Sequence, residues 1–368
     1  MKVLHINSYY SNRFFYKNLF NSQIAQGIDV NVYLPVINNY KRPDTDLGTY
    51  TNVSKNHGKY DRVIFQIKHH KILKDIKKQY NFDEFQILHA HSLFSNGYIA
   101  YKINQEFHVP YIVTARGTDL NTFFKYMVHL RKLGISILKN AKKIIFLSPS
   151  LRDDIINKYV PENLKKEFFE KSSIIPNGLD PFWLNNKNMP KELLDNKNLS
   201  IIQVGIVNKS KNVLTTAKAI EKLNNKGYNI KFNVVGTIED KKVYHELIEK
   251  DFVQYHKPVN KEKLLDMYRY NHLYVMPSLK ETFGLVYAEA LSQGLPVLYS
   301  RGQGFDKQFP DGQVGYPVDK LNAEDIADKI ELVLDGYEAI SKKAIKASDK
   351  FDWNMIAKEI IHLYKTES

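Results

Sequence analysis

Short apolar runs rich in β-branched residues recur along the whole chain, with segments of helical period standing between them. In the first half the runs are KVLHI, VNVYLPV, VIFQI, QILHAHS, YIVTA, KIIFLS and SIIPNG; in the second they are SIIQVG, IKFNVVG, FVQYH, LYVMPS and PVLYS. A strand that is apolar on both faces must be covered on both faces, so the alternation predicts parallel sheets wrapped by helices. The stretch NVLTTAKAIEKLNNKG shows the helical partner: Val213, Leu214, Ala217, Ile220 and Leu223 share a face, and Gly227 ends it. At 368 residues the chain is longer than one core ordinarily holds. Its natural divide is the polar segment 178–200, which carries two prolines and precedes a new strand at Ile201. The expectation is an α/β chain of two doubly wound, Rossmann-like domains facing each other across a cleft. The first takes residues 1–180 and a C-terminal helix, 351–368, that packs back; the second takes 181–350.

Composition narrows the chemistry. Hydrophobic residues at 43% and charged residues at 25% are globular values. The absence of cysteine excludes disulfides, thiolate metal sites and cysteine nucleophiles. No apolar run approaches the roughly 20 residues that cross a bilayer, and MKVLHINSYY turns polar too soon for a signal-peptide core. A cytoplasmic protein is expected. The net charge of +13 suits phosphorylated substrates or an anionic membrane, and nucleic acid is not expected because no binding motif accompanies the charge. In 123–143, FFKYMVHLRKLGISILKNAKK, the residues Phe123, Met127, Leu130 and Leu133 or Gly134 fall near one face among lysines. This reads either as a basic amphipathic helix lying on the inner face of the membrane, or as a domain helix with a basic outer face.

The chemistry concentrates in residues 277–297, PSLKETFGLVYAEALSQGLPV. A strand runs into a loop carrying Glu281, a helix begins near Phe283–Gly284 with Glu289 about two turns in, and Gly294 and Pro296 stop it. Backbone N–H groups at a helix start lack partners and face a positive dipole end, and Gly284 removes the side chain that would block a phosphate. Glu281 and Glu289 would then meet one ligand at different depths. The alternative is a helix with an N-terminal acid favouring its dipole and a solvated Glu289.

This stretch resembles the signature of the retaining family-4 glycosyltransferases with the GT-B fold. IIPNGLD, SIIQVGIVNKSKN, IVTARGTDL and QILHAHS are similar to further motifs of that family, in the family's order from about residue 86 to 297. The resemblance implies a nucleotide-sugar donor, most often uridine-linked, held mainly by the C-terminal domain, and a glycan, lipid-linked or polymer acceptor in the N-terminal one. It implies transfer of a hexose or N-acetylhexosamine with retention of configuration, for cell-surface polysaccharide, with no metal and no further cofactor. Carried onto this chain, Glu281 would bond the donor sugar and Glu289 the ribose hydroxyls. The amides of Phe283, Gly284 and Leu285 would cradle the diphosphate, and Gly205, Lys209 and Lys211 would complete the donor site. The chain departs from the family at Ile206, where an arginine is usual, and at Asn212, where glycine is; Lys209 is an additional cation nearby. Arg116 stands where the family commonly has histidine, and Asp119, in its family position, would pair with it or assist the acceptor. Rival readings are a related nucleotide-sugar epimerase or hydrolase, and a non-catalytic homologue partnering an active transferase.

Other motifs invite blander readings. His89 and His91 point to one face of a strand end, but no third metal ligand follows at sensible spacing. Asp44 and Asp46 read as solvated loop acids, and RGQG at 301–304 lacks the third glycine of a dinucleotide fingerprint. Tyr9, Tyr10, Arg13, Phe14 and Phe15 replace the glycine-rich turn common after the family's first strand, and suggest aromatic platforms for a sugar.

Overall fold

The computed structural model of the protein describes residues 1–13, 15–41 and 46–367; Asp44 and Phe14 therefore lie outside the described residues. The chain forms two compact units. One comprises Met1–Leu147, Leu151–Gly178 and the segment from Trp353 onward; the other comprises Ser148–Ser150 and Leu179–Asp352.

The first unit is built on a seven-stranded parallel sheet of order β3-β2-β1-β4-β5-β6-β7. Its strands are β1 (Lys2–Ile6), β2 (Asp29–Ile37), β3 (Thr51–His57), β4 (Ile87–Ala90), β5 (Tyr111–Ala115), β6 (Lys143–Phe146) and β7 (Ser172–Ile174). β4 and β5 are buried at every position, as a strand covered on both faces must be. The second unit carries a six-stranded parallel sheet of order β10-β9-β8-β11-β12-β13. Its strands are β8 (Asn198–Val204), β9 (Asn229–Val235), β10 (Val253–His256), β11 (Leu273–Met276), β12 (Val297–Ser300) and β13 (Gly315–Val318). The helix Val213–Asn225 lays Val213, Ala217, Ile220 and Leu223 into this unit's core, and Gly227 ends the turn at φ +94°, as the spacing predicts.

The structure differs from the sequence reading in several elements. VIFQI is not a strand: Phe65 opens the helix Phe65–Gln79, whose buried positions Phe65, His69, Ile72 and Ile76 recur at helical spacing. The edge place belongs to β3, which has no apolar run to announce it. Its polar side chains are satisfied laterally, Asn56 Nδ2 donating to the Tyr33 hydroxyl at 2.8 Å. The segment 123–143 is not one amphipathic helix. A π-helical turn, Asp119–Phe124, gives way to a 3-10 turn at Val128–Leu130 and then to the helix Arg131–Asn140. Leu130 and Gly134 of the expected membrane face are buried in the domain, so the domain-helix reading holds for the helix itself. Among the described residues no helix is long and apolar enough to cross a membrane.

The C-terminal helix Trp353–Glu367 packs on Tyr16–Ala25 in the first unit, with Trp353, Ile356, Ile360 and Tyr364 in the core and Gln23 Nε2 donating to the Tyr364 hydroxyl at 3.1 Å. Gly178 makes room for this helix, since a Cβ there would lie 2.3 Å from the Trp353 indole. Replacing Gly178 with alanine is accordingly expected to destabilise the first unit by about 1–3 kcal/mol through overpacking. Urea denaturation followed by tryptophan fluorescence measures this, and an unchanged midpoint would show that the indole relocates freely.

Candidate active site

The strand order of the second sheet reverses at the β8–β11 pair, and the loops leaving these strands carry most of the predicted residues. β8 runs out into Gly205, and the exit of β9 approaches so closely that a Cβ on Gly236 would sit 1.8 Å from the Gly205 carbonyl oxygen. A 3-10 turn follows at Lys209–Lys211, and the Asn208 side chain accepts from the Lys211 amide at 3.0 Å. Asn212 takes the left-handed φ of +54° that glycine would occupy without strain. Its side-chain amide donates to the Pro277 carbonyl at 2.9 Å and the Lys320 carbonyl at 2.6 Å, which explains an asparagine here. With Leu279 N–H donating to the Ser210 carbonyl at 2.8 Å, the two loops are stitched together. Lys211 thereby meets Glu281: Nζ donates to Oε2 at 2.6 Å in a largely buried ion pair. Lys209 is exposed, and Ile206 is exposed without adding a cation.

Glu281 is braced from the next strand of the sheet. Its N–H donates to Gln303 Oε1 at 2.9 Å, and its carbonyl accepts from Gly304 N–H at 2.9 Å. A Cβ on Gly304 would stand 2.1 Å from the Thr282 carbonyl oxygen. The RGQG loop is thus a brace for the Glu281 loop, a role that sequence reading missed; its signal was a pair of glycines directly after a strand. Gly284 turns the chain into the helix Leu285–Ser292 at φ +79°, and a side chain there would strike the Tyr287 ring at 2.5 Å. Among the described residues no protein acceptor is paired with the amides of Phe283, Gly284 or Leu285. The Phe283 ring itself is core, 5.8 Å from that of Phe351. Glu289, half-buried, accepts from the Tyr268 hydroxyl at 3.2 Å, and burial pushes its carboxyl up to about 7 despite that bond and the Lys261 charge. Both Glu281 and Glu289 act electrostatically on the Tyr274 hydroxyl, which donates to the Val204 carbonyl at 3.1 Å.

The remaining two predicted residues, Arg116 and Asp119, belong to the first unit. Arg116 is nearly buried; Nε donates to the His91 carbonyl at 3.1 Å, Nη1 to Asn177 Oδ1 at 2.7 Å, and the guanidinium lies over the Tyr16 ring. Asn177, from the IIPNGLD turn, is a partner no local pattern announced. Asp119 is 1% exposed and its oxygens are taken by backbone: Leu93 N–H at 3.0 Å, Phe94 N–H at 3.1 Å and Arg116 N–H at 2.7 Å. Burial raises its carboxyl to about 6, and those three amides oppose the rise. The geometry therefore makes Asp119 the holder of its loop. Of the aromatic stretch, Tyr10 is buried with its hydroxyl on the Leu47 carbonyl, and Phe15 stacks on Trp353, so these two pack rather than face a ligand. Tyr9 does line a cavity of about 560 Å³, with Ser8, Asn12, Tyr40, His69 and Ser95.

His89 and His91 are joined by a third histidine that the sequence reading did not see, His5, brought beside them by the β1–β4 pairing. His5 Nδ1 lies 3.0 Å from His91 Nε2, while His89 engages the Tyr364 hydroxyl at 2.6 Å and Thr114 Oγ1 at 2.8 Å. With both His89 nitrogens occupied by protein, the cluster is a hydrogen-bonded core rather than an open ligand set. Burial holds all three imidazoles neutral, His5 falling to about 3. The unfolded chain then binds the proton first, so the stabilisation is complete above pH 6.5 and drains as the pH falls toward 3. His5 alone should contribute a loss of about 2 kcal/mol between pH 7 and 5. Thermal midpoints of wild type and His5→Gln measure it: the wild type should fall more steeply, and parallel curves would contradict a buried neutral His5. Asp119, whose raised pKa acts in the opposite sense, is common to both proteins and cancels.

Comparison with known proteins matches the two halves separately. The model described as Glycosyltransferase Family 4 matches residues 15–182, and that described as Glycosyl transferases group 1 matches residues 185–351. The capsular polysaccharide biosynthesis glycosyltransferase CapM of Staphylococcus aureus is 30% identical over 274 residues, covering 69% of this chain and 70% of its own. Among solved structures, the sucrose-phosphate synthase of Thermosynechococcus elongatus superposes with a TM-score of 0.74 at 17% identity, over 100% of this chain and 98% of the other. Anabaena HepE, in complex with UDP, gives 0.69 at 14% identity, with 100% of both chains covered.

Proposed function

The chain belongs to the family-4, group 1 glycosyltransferases, two-domain α/β enzymes of the GT-B fold, and from that premise we propose that it transfers a hexose or N-acetylhexosamine from a UDP-linked donor, with retention and without metal, to a glycan, lipid-linked or polymer acceptor of cell-surface polysaccharide synthesis. The observation that carries this reading is the Lys211–Glu281 pair in the loops ahead of the helix Leu285–Ser292, whose first amides have no acceptor among the described residues, with Glu289 farther along it. The name of CapM supports the polysaccharide setting, and the UDP complexes of HepE support the donor.

In this reading the ion pair is a resting arrangement. Vicinal sugar hydroxyls would take over the Glu281 carboxylate, and the released Lys211 ammonium would turn to the diphosphate. As the glycosidic bond breaks, charge grows on the departing diphosphate. Lys211, the exposed Lys209 and the amides of Gly284 and Leu285 would stabilise it in place. Glu289 would accept from the ribose hydroxyls, for which it must be ionised. Arg116, locked by the His91 carbonyl and Asn177, would present a fixed charge to sugar or phosphate oxygens; it cannot exchange a proton.

Calorimetry with UDP tests the donor site. Because the Glu289 carboxyl titrates near 7, UDP affinity should rise about tenfold from pH 6 to 8, and Glu289→Gln should flatten that rise. Absence of UDP binding, or the same pH profile in both proteins, would remove Glu289 from the site. Lys211→Met should lower turnover by about 10²-fold with a smaller loss of UDP affinity. UDP release from UDP-sugars that is equally fast with and without every acceptor would favour a hydrolase or epimerase instead.

A further inference from the structure

The cavity of about 560 Å³ in the first unit has walls that end in two exposed tips. Val63 lines it from the segment before the helix Phe65–Gln79, and Met127 and His129 line it from the irregular turn after Phe124. The rings of Phe65 and Phe123, 6.1 Å apart, join these two segments beneath. Nine large apolar side chains are exposed among the described residues of this unit, and five of them stand on the two tips: Tyr60, Val63, Ile64, Tyr126 and Val128. Tyr60 and Val63 are 84% and 83% exposed and stand three residues apart on one tip. The charge around them has one sign. Residues 59–74 hold five Lys/Arg and a single acid, Asp61, which is paired with Lys71 at 2.7 Å. Residues 119–143 hold six Lys/Arg and a single acid, the buried Asp119.

We propose that these tips dock on an anionic lipid bilayer and present the cavity to a lipid-anchored acceptor. The identity of the cavity's guest rests on the glycosyl-transfer reading above; the docking does not. Two separated tips flanking an open cavity offer a protein partner little continuous area. Each can enter the headgroup boundary independently, tyrosine and branched side chains inward and lysines toward lipid phosphates. Within the cavity wall, His69 donates Nδ1–H to the Phe65 carbonyl at 2.6 Å, and burial keeps the ring neutral. Its Nε2 is then a buried lone pair with no hydrogen-bond partner among the described residues.

Vesicle co-sedimentation tests the docking, with phosphatidylcholine vesicles containing or lacking phosphatidylglycerol. The wild type should bind the anionic vesicles and not the neutral ones. The combined variant Tyr60→Ser, Ile64→Ser, Tyr126→Ser, Val128→Ser keeps every charge and should bind about tenfold more weakly or less, with an unchanged far-UV circular dichroism spectrum and a retained cooperative thermal transition as the control for folding of the first unit. Lys59→Glu with Lys125→Glu should weaken binding comparably. Failure of the wild type to bind, equal binding to both vesicle types, or wild-type binding by the serine variant would each overturn the docking. A wild type that binds anionic vesicles but no UDP would overturn the glycosyl-transfer reading and leave the docking standing.

Discussion

All paired strands of both sheets run parallel, and most of the molecule's chemistry follows from that constraint. A parallel sheet sends every strand's exit loop to the same edge, and strand order must reverse somewhere if helices are to cover both faces. The reversal falls at β1–β4 in the first unit and at β8–β11 in the second. Adjacent loops diverge there in opposite directions and leave a crevice. In the second unit Lys211 and Glu281 leave β8 and β11 and close on one another. In the first, Ser8 and Tyr9 follow β1, Ser95 follows β4, and all three line the cavity. One topological rule thus places both candidate sites before any side chain is considered.

What was legible in the sequence was what is local in the fold. The strand–loop–helix unit carrying Glu281 and Glu289 lies within one short stretch, so spacing alone showed a carboxylate before the helix start and another on the helix. Central strands were legible because burial on both faces forces continuous apolar runs. β3 was not, because an edge strand tolerates polar residues whose partners, such as Tyr33, lie far away in sequence. Gln303, Asn177 and His5 escaped for the same reason. Each acts across a strand pairing or a loop contact that no period announces. The segment 123–143 misled in a different way. Its apolar spacing was real but served the domain core, and the exposed apolar side chains sit where helical geometry breaks.

The departures from the family pattern become intelligible as substitutions of means. Asn212 stands at a left-handed position where glycine is usual, and it offsets that backbone cost with two side-chain bonds that hold the β8 loop against the β11 and β13 exits. Arg116 stands where histidine is common, and its neighbourhood shows why a titrating group would be ill placed. The guanidinium adds positive potential to His89 and His91, which burial already holds neutral. A fourth imidazole would compete for protons with the three already packed within a few ångströms of one another. A permanently charged residue, fixed by the His91 carbonyl, Asn177 and the Tyr16 ring, avoids that competition and settles the cluster in one protonation state. Burial and the neighbouring guanidinium thus act in the same direction on His89 and His91, and both keep these imidazoles neutral.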